Sequence, residues 1–167
     1  MNLQALPEEA LKEILALTEA KKRLDLQEKA YDHFMPFAHH VYDNFIEGRH
    51  HRVIAEKLEA VARGECKRLI INMPPRHSKS EFASYLMPAW FLGRNPKLKI
   101  IQATHNTELA VRFGRKVRDL IDDPKYKEIF PETNLKEDNK GAGKWGTDKG
   151  AEYFAAGVLG KRRTVVY

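Results

Sequence analysis

Cysteine is almost missing: Cys66 stands alone among 167 residues. One thiol excludes an intramolecular disulfide framework and any zinc site built from clustered cysteines. No apolar run approaches the ~18–20 residues of a membrane span, so no membrane partner is expected. The first residues lack a basic segment ahead of an apolar one, which argues against a secretory signal. There is no internal repeat and no low-complexity tract. Carboxylates are outnumbered by cations, 23 to 29, leaving a net charge of +6. That excess permits a polyanionic partner without requiring one. With 43% hydrophobic and 31% charged residues, the chain has the composition of a soluble, intracellular globular protein.

Two kinds of periodicity divide the chain. Leu6, Ala10, Leu11, Ile14, Leu15 and Leu17 recur at helical spacing, with Pro7, Glu8 and Glu9 in the first turn. Lys21–Lys22–Arg23 follows, then a second helical stretch to about Phe34, punctuated by Pro36. Phe37–Phe45 is aromatic and His-rich. His50–Arg63 predicts another helix, with Gly64 at its C-terminal end. Beyond it the pattern changes. Arg68–Met73 is short, apolar and β-branched, and predicts a buried strand. Glu81–Leu92 predicts a helix, Leu98–Thr104 a second strand, and Asn106 or Thr107 the cap of a helix ending near Asp122. Lys144–Gly157 predicts a hairpin, and Lys161–Tyr167 a last strand or a frayed end. The expected fold is α/β: a parallel sheet flanked by helices, with right-handed crossovers. An N-terminal helical segment, residues 1–49, precedes an α/β unit of residues 50–167.

The strongest chemical signal is Met73–Ser80, placed between a predicted strand and a predicted helix and ending in Lys-Ser. Phosphate loops read GxxxxGK[ST]. Here both glycines are missing, with Met73 and Ser78 in their places. The physics survives the loss, because backbone N–H groups at a helix N-terminus make an anion site. Lys79 would reach the β- and γ-phosphates of ATP, and the Ser80 hydroxyl would ligate Mg²⁺. Pro74 and Pro75 would stiffen the loop, while Arg76 and His77 would add positive charge. Ser78 is small but lacks glycine's freedom in φ. The simpler alternative is a basic turn that only caps a helix.

The run Leu58–Ser80 resembles the ATPase domain of large terminase subunits, the DNA-packaging motors of tailed bacteriophages. The resemblance rests on its PPRxxKS-type loop and continues through Pro88–Ala89–Trp90, Ile100–Asn106 and Trp145–Val158. It implies a P-loop NTPase of the ASCE type that is incomplete at its C-terminus. The implied cofactors are ATP and Mg²⁺, with Pro75, Arg76, His77, Ser78, Lys79 and Ser80 on the nucleotide and His50 on the adenine side. The implied activity is translocation of double-stranded DNA into a capsid. The implied partners are a portal, a small terminase subunit and further copies in a ring, in the host cytoplasm.

Such an ATPase needs four apolar residues leading into paired acids, to hold Mg²⁺ and polarise water. That strand is missing: Leu159–Tyr167 occupies its place. Leu120–Ile121–Asp122–Asp123 is a decoy, with only two apolar residues before the acids and Pro124 behind them. No carboxylate cluster for a nuclease is present. The chain therefore reads as the N-terminal part of a large terminase subunit, a truncated form with negligible hydrolysis. The alternatives are a non-catalytic fragment that binds nucleic acid or a partner and regulates a full-length motor, and a small-substrate P-loop kinase, which lacks a lid signature here.

Arg112, Arg115 and Arg118 form a basic stripe with Lys116 among them. The stripe is an arginine finger centred on Arg115, a DNA-phosphate contact or a solvated face. His39–His40 and His50–His51 are sequence neighbours, which do not face each other along a helix, so no metal site beyond Mg²⁺ is expected. Cys66, Trp90 and Phe91 are expected in the core, and Trp145 in the hairpin, where base stacking is the lesser alternative.

Overall fold

The computed structural model describes residues 7–158. Helix α1 spans Glu8–Asp32, α2 Phe34–Val41 and α3 Arg49–Ala62. Then come α4 (Lys79–Glu81), a π-helical turn (Phe82–Leu86) and α5 (Met87–Arg94), running on as one helical rod. Strand β1 (Lys99–Thr104), α6 (Thr107–Ile121), α7 (Pro124–Ile129), β2 (Leu135–Lys140), β3 (Lys144–Thr147) and β4 (Glu152–Gly157) complete it. The expected closing strand Lys161–Tyr167 lies outside the described residues.

The chain is α/β, but the sheet is mixed rather than parallel. Its order is β1-β4-β3-β2. Only β1 and β4 run parallel, with Ile101 opposite Phe154. The predicted hairpin is present as the antiparallel β3–β4 pair, with Trp145 opposite Tyr153. The strand expected at Arg68–Met73 joins no sheet among the described residues. Its side chains still alternate between exposed and half-buried, as an extended segment's would, and Ile70 is 85% exposed. A β-branched run specifies an extended backbone; becoming a strand also requires a neighbour to bond to.

Helix α1 corrects a second expectation. It is one helix where two were expected, and only Ala30 is buried. Leu15 and Leu17 are 61% and 63% exposed, so the apolar spacing of the first turns marks a helix without a core face. Burial begins at the C-terminal end of α1, where the aromatic core starts. Phe34, Phe37, Phe82, Trp90 and Tyr126 are fully buried. Phe34 meets Trp90 edge-on at 5.6 Å between centroids. The Trp90 indole N–H donates to the Ala30 carbonyl at 3.1 Å, and the Tyr126 hydroxyl to that of Ala89 at 2.9 Å. Trp90 is thus a core residue, as expected, while Phe91 and Cys66 are only partly buried.

The π-turn has a local cause. Pro88 cannot donate a backbone hydrogen bond, and its ring crowds the carbonyl four residues earlier. Widening the rod just before it relieves that crowding, and the Met87 N–H reaches back to the Phe82 carbonyl.

Helix α6 packs between the sheet and this rod. The Asn106 side chain caps it by accepting from the Leu109 N–H at 2.8 Å. It ends at Ile121. Asp122 is its C-cap, and Asp123 accepts from the Lys125 N–H to start α7, so the acidic pair serves helix termini. Trp145 lies under α6, stacked on Tyr153 at 4.8 Å and donating to the Gly114 carbonyl at 3.0 Å. The buried indole has no face for a nucleic-acid base.

This packing separates residues that carry the fold from those that do not. Trp145→Ala is expected to lower stability by about 3–5 kcal/mol through the cavity and the orphaned carbonyl. Leu15→Gln combined with Leu17→Gln should change it by no more than about 0.5 kcal/mol. Urea denaturation of the two variants checks both.

Candidate functional site

The loop Met73–Ser80 opens the helical rod, as its sequence suggests. Met73–Glu81 line a cavity of about 460 Å³. Two residues without glycine's freedom hold left-handed conformations: Arg76 at φ 64° and Ser78 at φ 57°. Each costs about 1–2 kcal/mol of backbone strain. Ser78 stands where the usual phosphate loop has glycine, so the position demands the glycine conformation even without glycine. Turns of this kind gather successive N–H groups into a concave anion site. Among the described residues, the N–H groups of 76–80 donate to no backbone carbonyl. Those of Lys79 and Ser80 are free because they begin a helix.

Pro75, Arg76, His77, Lys79 and Ser80 are exposed, and Ser78 is half-buried. Arg76 and Lys79 have no carboxylate partner among the described residues. His77 folds back, its Nδ1–H donating to the Pro75 carbonyl at 2.9 Å, which leaves Nε2 as the acceptor nitrogen of the neutral ring. Glu81, not singled out in the sequence, also lines the cavity. Lys116 of α6 holds its carboxylate at 3.2 Å and moderates the negative charge beside the loop. Tyr85, one turn further along, lies 5.3 Å beneath the same ammonium group. Burial, with Glu81 nearby, pushes its phenol up to about 12.

His50 is brought to the loop as expected: its ring lies 5.6 Å from that of His77. The histidine doublet corrects the helical-spacing argument. His50 and His51 sit in the first turn of α3, with ring centroids 3.9 Å apart and Nε2 atoms 3.0 Å apart. The Gly48 N–H donates to His51 Nδ1 at 2.9 Å. The His51 proton is therefore on Nε2, which donates to His50 Nε2. His51 is buried, stacked on Phe82 at 5.0 Å and met edge-on by Phe45 at 4.8 Å. A relay of rings thus joins the start of α3 to the loop and to the rod behind it. Helical spacing hid this link; the glycine before the doublet, able to cap a helix only through another residue's side chain, was the available signal.

Arg115 is not brought to the loop. It lines a different cavity, at the start of α6, with no lining residue in common with the first. No group of three or more His, Cys, Asp or Glu side chains among the described residues could hold a metal ion. An ion at Ser80 would depend on ligand oxygens for the rest of its coordination. No helix among the described residues is long and apolar enough to cross a membrane. Taken as a whole, the arrangement is an open, cationic concavity with free amides, suited to an oxyanion.

Comparison with known proteins returns no matching family, no matching curated protein and no matching solved structure.

The His51 contacts set a pH dependence. Burial, then the neighbouring His50, hold its pKa below the ordinary value near 6.5. The folded state keeps the ring neutral, whereas the unfolded chain takes up the proton near pH 6.5. The stabilisation is complete above that pH and is lost as the pH falls below it. Between pH 7.5 and 5.5 the wild-type melting temperature should drop further than that of His51→Phe, as thermal melts would show.

Proposed function

We propose that this chain is the nucleotide-binding part of a DNA-packaging ATPase of the large terminase type. Residues 76–80 would receive the phosphate tail of ATP with Mg²⁺. The observation that carries the proposal is the row of backbone N–H groups at 76–80, unused among the described residues, in a cavity lined by Arg76 and Lys79, which have no carboxylate partner there. The order of sequence segments around that loop supplies the family, and with it the P-loop NTPase reading of the fold. That reading is finer than the mixed α/β sheet described above.

Within it each side chain has a defined task. The loop amides and the Lys79 ammonium group bind the β- and γ-phosphates. Ser80 offers its hydroxyl to Mg²⁺, and His50 flanks the nucleoside end. Bound Mg²⁺ would neutralise phosphate charge. Arg115, in its separate cavity, would act as a finger only on the nucleotide of a neighbouring copy. The partners are double-stranded DNA, a portal, a small subunit and further copies in a ring, with the host cytoplasm as the setting. The paired acids that would drive hydrolysis are not in this sequence, so the proposal for this chain is binding with negligible turnover.

One observation favours the second reading, a non-catalytic fragment that regulates a full-length motor by binding nucleic acid or a partner. Among the described residues Glu81 is the one carboxylate lining the loop cavity, and Lys116 occupies it.

ATP titrated with Mg²⁺ present should bind wild type at least about tenfold more tightly than Lys79→Ala, as loss of one charge-assisted contact predicts. Phosphate release should be no faster from wild type than from the variant. Equal ATP affinity in the two would overturn the nucleotide reading.

A further inference from the structure

The cavity at the start of α6 is larger than that at the loop, about 630 Å³, and two guanidinium groups line it. Arg112 and Arg115 are one turn apart on the same face, and both are exposed. Neither has an ion pair or hydrogen bond among the described residues. Other cations of this helix are engaged: Lys116 with Glu81, and Arg118 with Asp119. The cleft thus keeps its positive charge. Glu108, its one carboxylate among the described residues, also lacks a partner there and leaves the two arginines in excess.

The rim is fixed by hydrogen bonds. The Thr104 hydroxyl donates to the Asn106 carbonyl at 2.6 Å. Asn106 Oδ1 is occupied by the Leu109 N–H, so its Nδ2 is the donor toward His105 Nε2 at 3.1 Å. His105 Nε2 therefore accepts, and the ring proton lies on Nδ1, available as a donor at the cleft. Thr107 rests against Gly157 of β4 so closely that a Cβ there would sit 2.2 Å from the Thr107 nitrogen. The start of α6 at the cleft therefore has little freedom to shift against β4.

We propose that this cleft is a second anion site, which takes a phosphate group between Arg112 and Arg115 with His105 at its edge. Guanidinium forks match phosphate oxygens, and two of them balance either the near-double charge of a terminal phosphate or the single charges of two successive phosphodiesters. A single carboxylate would leave one arginine uncompensated. The phosphate comes either from a polyphosphate chain or from a phosphodiester backbone. The inference does not depend on nucleotide binding at residues 76–80.

Titration of the ¹⁵N-labelled full chain with pyrophosphate tests it, read at the Arg112 and Arg115 side-chain Nε–H signals and at the Thr107–Leu109 amides. A parallel arm uses a short duplex oligonucleotide. Those signals should shift in wild type and equally in Lys79→Ala, which separates this cleft from the loop. Arg112→Gln or Arg115→Gln should each weaken the response by about fivefold, and Glu108→Gln should strengthen it. Tighter binding of the oligonucleotide, falling steeply with salt, would assign the phosphodiester source; tighter pyrophosphate would assign the polyphosphate source. Unchanged binding in the double arginine variant, or succinate bound as tightly as pyrophosphate, would overturn the proposal.

Discussion

The loop at the start of the helical rod is held in place by one buried aromatic cluster. Trp90 is its centre, tied through its indole N–H to the end of α1 and packed against Phe34. Phe82 joins the same cluster, meeting Phe34 at 5.4 Å. Phe82 and Trp90 lie on the helical rod that begins at Lys79. The loop's position therefore follows from the packing of the rod. Aromatic pairs of this kind add directional preference to the burial of large apolar area. The rod has little rotational freedom, and the amides at its start keep one heading.

The strain at Arg76 and Ser78 makes sense against that background. Left-handed conformations at non-glycine residues persist only where the surroundings enforce them. Here the enforcement comes from a rod anchored behind the loop, two prolines ahead of it and a histidine folded onto Pro75. The relay from Gly48 through His51 and His50 adds support from the side. Backbone strain is retained, and a concave set of free amides is the result. Helix α6 contributes from the other flank, where Lys116 neutralises Glu81 and keeps the concavity cationic.

The two cationic cavities differ in construction. The loop cavity is built from consecutive residues, so its chemistry is visible in a single stretch of sequence. The cleft at α6 combines a helix face with a strand-to-helix turn, and its charge depends on which cations find partners. Spacing puts Arg112 and Arg115 on one face; it does not show that Lys116 and Arg118 are engaged elsewhere. Likewise, spacing along α3 argues that His50 and His51 point apart, whereas the capping contact to Gly48 turns one ring inward against the other.

Local preference was enough to determine α3, the helical rod, α6 with its cap at Asn106, the β3–β4 hairpin and the Lys-Ser start of the rod, because each depends on neighbours a few residues away. The buried state of Trp90 was legible for the same reason. Contacts distant in sequence decided the rest. The apolar residues of the first turns of α1 stay exposed, and Arg68–Met73 stays unpaired because no strand lies beside it among the described residues. The sheet is mixed because β4 returns alongside β1, an arrangement that follows from how Trp145 and Tyr153 bury under α6. Burial and pairing belong to the assembled surface, and a residue's type sets only its readiness for them.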